Sequence, residues 1–330
     1  MPHNGRWKIA GINFDHMHMG DLLRMAHEHP DADIVGIADA EPARMAAAAQ
    51  SLQIPGDRRF ADYRRCIEET RPDLVLLCPR TGDHADYVER VAPFGVNILV
   101  EKPMGLTKAS CEALLSKALQ KHRHLFGVMQ NRYSPPSQWI KEMVEENRLG
   151  EIFLVQVSCY WNRDARYYRP GGWKGTKDLD GGTLFTQFSH FVDIMYWLFG
   201  DITEIQGRFA DFNHKALTAF EDSGLVNFRF LHGGLGCLNY TTSVWDRNLE
   251  SSMTIIGERG SVKIGGQYMD QVEYCHVKDY VMPELAPTNP ASDYGAYKVS
   301  ASNHHYIIEN VVDSLKGRQG MRTNALEGMK

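Results

Sequence analysis

The feature that most constrains this chain is the regular exchange, over its first 125 residues, of short unbroken apolar runs with helix-length amphipathic segments. "WKIAGI" precedes a helical pattern through "GDLLRMAHEH", "ADIVGIAD" precedes one beginning at Pro42, "DLVLLC" precedes "HADYVERVAPFG", and "VNILVEKP" closes the series. Strands covered on both faces read as continuous β-branched runs, and a strand followed by a helix pairs in parallel with its successor. Residues 1–125 therefore read as a Rossmann-like, doubly wound parallel sheet. From residue 126 the pattern turns to long alternating strands: "IFLVQVSCYW", "GLVNFRFL", "GGLGCLNYTTSVW", "SSMTIIG" and "GSVKIGG". One helix, Thr183 to Phe199, interrupts them, so residues 126–330 read as an α+β domain with a large, mostly antiparallel sheet.

Composition removes several function classes. A net charge of −5 over 330 residues leaves no basic footprint for nucleic acid or for an anionic membrane surface. No apolar stretch reaches the length of a membrane span and no leader pattern precedes the first strand, so a cytoplasmic protein is expected. The six cysteines form no C-x-x-C pair and lie mostly in apolar runs, as buried thiols do in a reducing compartment.

In a doubly wound sheet, ligands bind beyond the carboxyl ends of the strands. Those positions are Gly11 to His18, Asp39, Cys78 to His84, and Glu101 to Pro103. The first turn, "KIAGINFDHMHMG", offers Asn13, Phe14, Asp15, His16 and His18 where glycines usually stand. Asn and Asp tolerate left-handed backbone, so the chain can still turn and open a helix whose N-terminus attracts phosphate. Asp15 is expected as the N-cap, with His16 or His18 nearer the phosphates. His16 and His18 also have a metal-like spacing, but with no third ligand nearby in sequence no metal is expected. Asp39 has two readings, an acceptor for both hydroxyls of an adenosine ribose or a turn residue in "DAEP". The first favours NAD, while Arg44 leaves NADP open. Lys102, between a strand and Pro103, is either pre-organised at the strand's mouth or a solvated loop residue.

The second centre is "DGGTLFTQFSHFVDIMYWLFGD". Helical spacing aligns Thr183, Thr186 or Gln187, His190, Asp193 and Trp197 on one stripe, which makes His190 a candidate proton acceptor. "YWNRDARYYRPGGWKGTKD" mixes Trp161 and Trp173 with Arg163 and Arg166, either a wall for an acidic sugar or an exposed basic loop.

Taken in order, "EKP", "GVMQNRYSP", "GG-x-L-x-x-x-x-S-H-x-x-D-x-x-x-W-L-x-G", "FEDSGLVNFRFLHGGLGCL" and "IIGERGSVKI" resemble the glucose-fructose oxidoreductase, inositol dehydrogenase and MocA family over nearly the whole chain. The resemblance implies a Rossmann domain for NAD(P) and a mixed-sheet domain carrying the substrate site and an oligomer interface. It sets Lys102 at the family's lysine, which touches nicotinamide and substrate, and His190 at the histidine of its D-x-G-x-H stretch. Glu101 then orients the cofactor site, with Cys78, Pro79, Arg80 and His84 of "PRTGDH" beside it and Arg80 where proline is common. Asn131, Arg132 and Tyr133, with Gln187, join the substrate side. Thr186 replaces the family's Asp and Phe188 its Gly, so His190 lacks the usual carboxylate partner. The expected activity is NAD-dependent oxidation of a secondary alcohol of a sugar, sugar acid, nucleotide sugar or cyclitol by a homodimer or homotetramer assembled through the C-terminal sheet. The alternatives are an NAD-dependent glycosidase or lyase acting by transient oxidation, and a non-catalytic sugar or dinucleotide sensor.

Overall fold

The computed structural model describes residues 5–121, 123–295 and 297–329. Contacts divide the chain into two compact units, Met1–Met129 with His304–Lys330, and Gln130–Asn303. The first unit runs β1 (Trp7–Ile12), α1 (His18–Glu28), β2 (Ala32–Ala38), α2 (Ala46–Ser51), β3 (Arg59–Phe60), α3 (Tyr63–Thr70), β4 (Leu74–Leu77), α4 (His84–Val91), β5 (Asn97–Val100), α5 (Lys108–Gln120) and β6 (Leu125–Gly127). Its six strands are all parallel, in the order β3-β2-β1-β4-β5-β6. The order reverses between β1 and β4, so the crevice expected of a doubly wound sheet opens at the carboxyl ends of those two strands. Four residues each of β4 and β5 are buried throughout, which is why they read as unbroken apolar runs. The helix expected at Pro42 begins as a 3-10 turn, Pro42–Met45, before α2.

The second unit contains α6 (Pro135–Glu145), β7 (Ile152–Tyr160), α7 (Lys177–Asp180), α8 (Thr183–Thr186), α9 (Ser189–Phe199), β8 (Ile202–Ala210), β9 (Ser223–Phe230), β10 (Leu235–Thr241), β11 (Glu250–Gly257), β12 (Gly260–Gly265) and β13 (Gln271–Val277), followed by the pair β14 (Ala291–Asp293) and β15 (Lys298–Ala301). Seven strands form one sheet, β13-β12-β11-β7-β10-β9-β8. Every neighbouring pair is antiparallel except β7 with β10. One face buries Val155, Val157, Val226, Phe228 and Leu238 in a cluster with Trp139 and Ile140 of α6 and Phe191 and Ile194 of α9.

The single helix expected over Thr183 to Phe199 is two. The N–H groups of Gln187 and Phe188 both donate to the carbonyl of Thr183, which widens the turn and ends α8. Phe188 is thereby driven inward, its ring 5.3 Å from Trp161 and 5.5 Å from Tyr240. The break costs regular hydrogen bonding and gains burial of a full aromatic ring.

The chain then returns to the first unit. α10 (His304–Leu315) packs on α1, the Gly127 N–H donates to the Thr323 carbonyl at 3.0 Å, and Asn324, bridged to Phe126, caps α11 (Ala325–Gly328). The sequence reading instead ended the first domain at 125 and gave all later residues to the second. A domain interrupted by another cannot be seen in a local pattern, because α10 has the same amphipathic period wherever it packs.

Gly11 marks how closely α1 approaches the sheet. A Cβ there would stand 3.0 Å from the Met19 sulfur and 3.1 Å from Leu23 Cδ2. Gly11→Val should destabilise the protein by about 1–3 kcal/mol through overpacking, read as a lower urea midpoint with an unchanged m-value. An unchanged midpoint would show that α1 can move away at no cost.

Candidate functional site

The turn after β1 is built without further glycine. Asn13 adopts φ 67°, and its side chain closes the loop: Oδ1 accepts the Asp15 N–H at 2.8 Å and Nδ2 donates to Asp15 Oδ2 and to the Tyr87 hydroxyl, each at 3.0 Å. Asp15 is not the N-cap. Met17 holds that position, with no side-chain cap, and Asp15 Oδ1 instead accepts from Arg44 at 2.6 Å, with Arg80 3.9 Å from Oδ2. Salt bridging to two guanidinium groups neutralises the carboxylate better than distal amides would. Asp39 is used twice, Oδ2 accepting the Phe14 N–H at 2.7 Å and Oδ1 the Glu41 N–H at 2.8 Å. Both oxygens thus organise turns, and each keeps a further lone pair for another donor.

His16 donates its backbone N–H to the Cys78 carbonyl at 3.0 Å, tying this turn to the end of β4. The Cys78 thiol itself is buried, and burial, with Glu101 and Asp21 nearby, pushes its pKa well up. Its contribution is therefore a backbone one. Arg80 pairs with Asp83 at 2.6 Å, and His84 is buried with Nδ1 2.6 Å from the Pro103 carbonyl and Nε2 3.2 Å from that of Pro79. Burial lowers the His84 pKa against the opposing pull of those carbonyls and Glu101.

His18, the first residue of α1, is buried. Its Nδ1 lies 2.8 Å from Glu101 Oε1, while Glu101 Oε2 accepts the Lys102 backbone N–H at 2.9 Å. His304, at the start of α10, stands with Nε2 3.9 Å from the same Oε1. Burial would raise the Glu101 pKa, but His18, with His16 and His304, holds it well below the ordinary carboxylate value. Lys102 is half-buried and joined to Pro103 by a cis peptide.

In the second unit, Asn131, Arg132 and Tyr133 lie in a buried 3-10 turn. Arg132 makes a bidentate pair with Asp193 of α9, 2.8 and 2.6 Å, so the Asp193 carboxylate is committed there. Gly181 and Gly182, with φ of 87° and 124°, turn the chain into α8 through backbone that side chains rarely adopt. The Thr186 hydroxyl donates to the Asp180 carbonyl at 2.7 Å, and His190 is buried in the first turn of α9. Gln187 is clamped, accepting from Arg163 Nε at 2.7 Å and donating to the Tyr167 hydroxyl at 2.6 Å.

Arg163 and Trp161 belong to the interior rather than to a wall open to substrate. Arg163 is 1% exposed, its guanidinium stacked 4.7 Å from Trp161 and 5.2 Å from Tyr167, and Trp161 Nε1 donates to Ser251 at 2.7 Å. Arg166 is exposed and paired with Asp164 and Asp246. Of the aromatic-basic segment, Trp173 and Lys174 are only half-buried, Lys174 donating to the Tyr297 hydroxyl at 3.0 Å. Sequence reasoning missed Asp180, a buried carboxylate accepting the Gly175 N–H at 2.6 Å, whose signal was its place directly before Gly-Gly. It also missed His214 and Asp222, 3.0 Å apart, which fasten residues 211–222 to the Arg163 carbonyl.

The parallel sheet, its crevice and the mixed second unit define a dinucleotide-binding oxidoreductase fold of the two-unit kind. The NAD-binding Rossmann model of the oxidoreductase family matches residues 6–129 and the GFO/IDH/MocA C-terminal model residues 137–263. The chain belongs to the GFO/IDH/MocA family. Among curated relatives, the putative oxidoreductase YteT of Bacillus subtilis is 23% identical over 52% of this chain, a match spanning 41% of that protein. A WlbA dehydrogenase from Bordetella pertussis, solved with NADH and UDP-GlcNAcA, is 26% identical over 98% of this chain and 92% of its own, with a TM-score of 0.83. A second, from Chromobacterium violaceum with the same ligands, gives 27%, 99%, 90% and 0.86.

The Asp222 carboxyl yields a pH test of the second unit. Burial pushes it up, yet the Asn213 N–H, His214 and the hydroxyls of Ser223 and Ser243 pull harder and hold it down at about 2, against an ordinary 3.8. A lowered folded-state value contributes stability that is complete above about pH 4 and disappears as pH falls through about 2. Asp222→Asn should cost about 2 kcal/mol at pH 7, and its deficit should narrow steadily on acidification when both proteins are unfolded in urea from pH 7 to 2.5. A deficit independent of pH would assign the loss to packing.

Proposed function

We propose that the protein oxidises a secondary alcohol of a carbohydrate by hydride transfer to NAD, with Lys102 and His190 as its catalytic residues. The observation that carries this reading is the anchoring of Lys102: its own backbone N–H is held by the buried Glu101 carboxylate, which His18 holds in turn, so the lysine leaves the carboxyl end of β5 from a fixed point. NAD, when bound, accepts the hydride. The Lys102 ammonium steadies the hydroxyl oxygen as it gains alkoxide character, and the His190 imidazole accepts the proton. Thr186, whose hydroxyl donates to the Asp180 carbonyl, stands where the family's Asp is common and itself supplies a hydroxyl in place of a carboxylate.

Gly11, Asn13, Phe14, Asp15, His16, Asp39 and Arg80 form the cofactor edge in this reading, with Arg44 as an additional cation. Asn131, Trp173 and Gln187 serve the substrate side, Arg163 acting through Gln187 instead of touching substrate. A nucleotide-linked sugar acid, UDP-GlcNAcA, is the first compound to try because both WlbA structures hold it. In this reading the protein works in the cytoplasm, where NAD and nucleotide-linked sugars are at hand; no described helix is long and apolar enough to cross a membrane. It assembles as a homodimer or homotetramer through the open face of the seven-stranded sheet, where Leu154 and Leu235 pair and Ile205, Phe209 and Leu225 are exposed.

Purified protein supplied with NAD and a panel of UDP-GlcNAcA, free sugars, sugar acids and cyclitols should produce NADH with at least one class. Tight NAD binding and product formation without net NADH would replace this reading with transient oxidation, and binding without turnover would favour a sensor. In the active case Lys102→Met should lower kcat by roughly a hundredfold or more with its melting temperature retained, and His190→Ala by about two to four powers of ten. A folded Lys102→Met protein with near-normal turnover would refute the assignment.

A further inference from the structure

Three side chains of the first unit, brought together from distant points in the chain, have the donor set of a transition-metal site. His18 Nδ1, Glu101 Oε1 and His304 Nε2 all lie within 4.8 Å of one another, and all three residues are buried. His304 is 0% exposed, and neither of its ring nitrogens has a hydrogen-bond partner among the described residues. Leaving such an atom unpaired in an interior is costly, so an imidazole aimed at a carboxylate from beyond hydrogen-bond reach calls for a third body. The spacing suits an ion. Two donors about 2.1 Å from a tetrahedral zinc stand about 3.4 Å apart, and the observed separations from Glu101 Oε1, 2.8 Å to His18 and 3.9 Å to His304, bracket that value.

The second cluster of this composition, Asp211, His214 and Asp222, provides the contrast. There Asp222 Oδ2 accepts N–H groups from Phe212 and Asn213 and faces His214 Nδ1, while His214 Nε2 faces the Arg163 carbonyl. Its polar atoms are already used. In the first cluster the His304 nitrogens are not.

We propose that His18, Glu101 and His304 bind a divalent transition-metal ion of the zinc class. Two imidazoles and one carboxylate are borderline nitrogen and oxygen donors, a set that favours zinc, cobalt or nickel over magnesium or calcium, and three protein ligands leave a fourth position for water. The ion clasps the turn after β1, the end of β5 and the start of α10, holding the returning segment of the chain to the sheet it completes.

The test uses the full-length, untagged protein, stripped with a chelator and titrated with zinc alone and, separately, cobalt. Stoichiometric zinc should survive gel filtration and raise the melting temperature, and cobalt should give a visible ligand-field spectrum. Affinity should fall in His304→Ala by no less than the roughly tenfold that loss of an outer-shell partner costs; His304→Asn repeats the measurement if the alanine variant folds poorly. Failure of the stripped wild type to take up either metal would overturn the proposal. So would equal zinc retention in both His304 variants, or loss of zinc only on Asp211→Asn. None of these outcomes depends on turnover, so the result stands apart from the dehydrogenase reading.

Discussion

A carboxylate shut away from water must be compensated, and Glu101 draws hydrogen bonds from two directions while a third group stands just beyond reach. It is 1% exposed, with His18 from the turn after β1, the N–H of Lys102 from its own strand end and His304 from the start of α10 disposed around it. Removing one partner from a buried charge is expensive, so His18 and the Lys102 backbone are held where the charge needs them. The position of Lys102 follows from that requirement, since the residue that fixes its backbone is the one that cannot move.

The glycine-poor turn illustrates how side chains can replace backbone permissiveness. A glycine turn lets amides approach a ligand closely, whereas here Asn13 takes the left-handed conformation and then spends its amide on Asp15 and Tyr87. The Asp15 charge that results is cancelled by Arg44 at 2.6 Å, which itself pairs with Glu41 at 2.8 Å. The edge of the turn is therefore lined by cationic side chains on neighbouring loops as well as by helix amides.

The two sheets were legible in the sequence because burial on one or both faces writes a period into it. The strands that escaped notice were those with no period to write. β3, β6, β14 and β15 have only two to four residues, and most of the edge strands β8 and β13 is exposed or half-buried. The break after α8 was hidden because Phe188 and Phe191 fit an uninterrupted helix as well as a broken one. Site residues fell into two groups for a related reason. Lys102, His190 and the first turn stand out as candidates because strand ends and Gly-Gly turns are local signals. The partnership of His18 with Glu101 and His304, and the inward course of Arg163 toward Gln187 and Asn248, depend on pairs far apart in the chain. Charge in a loop usually means solvent, and only the aromatic cage around Arg163 reverses that expectation.

The interruption of the first unit by the second imposes an order on how the molecule is made. Residues 130–303 are contiguous and hold their own core, so they can close as soon as they leave the ribosome. The first unit must wait, because α10 and the Phe126–Asn324 bridge are supplied by residues that follow the second unit in the chain. Until then the parallel sheet lacks the helix that covers α1, and the Glu101 carboxylate lacks one of the imidazoles that surround it. The cofactor half is thus completed only after the unit that interrupts it has been made.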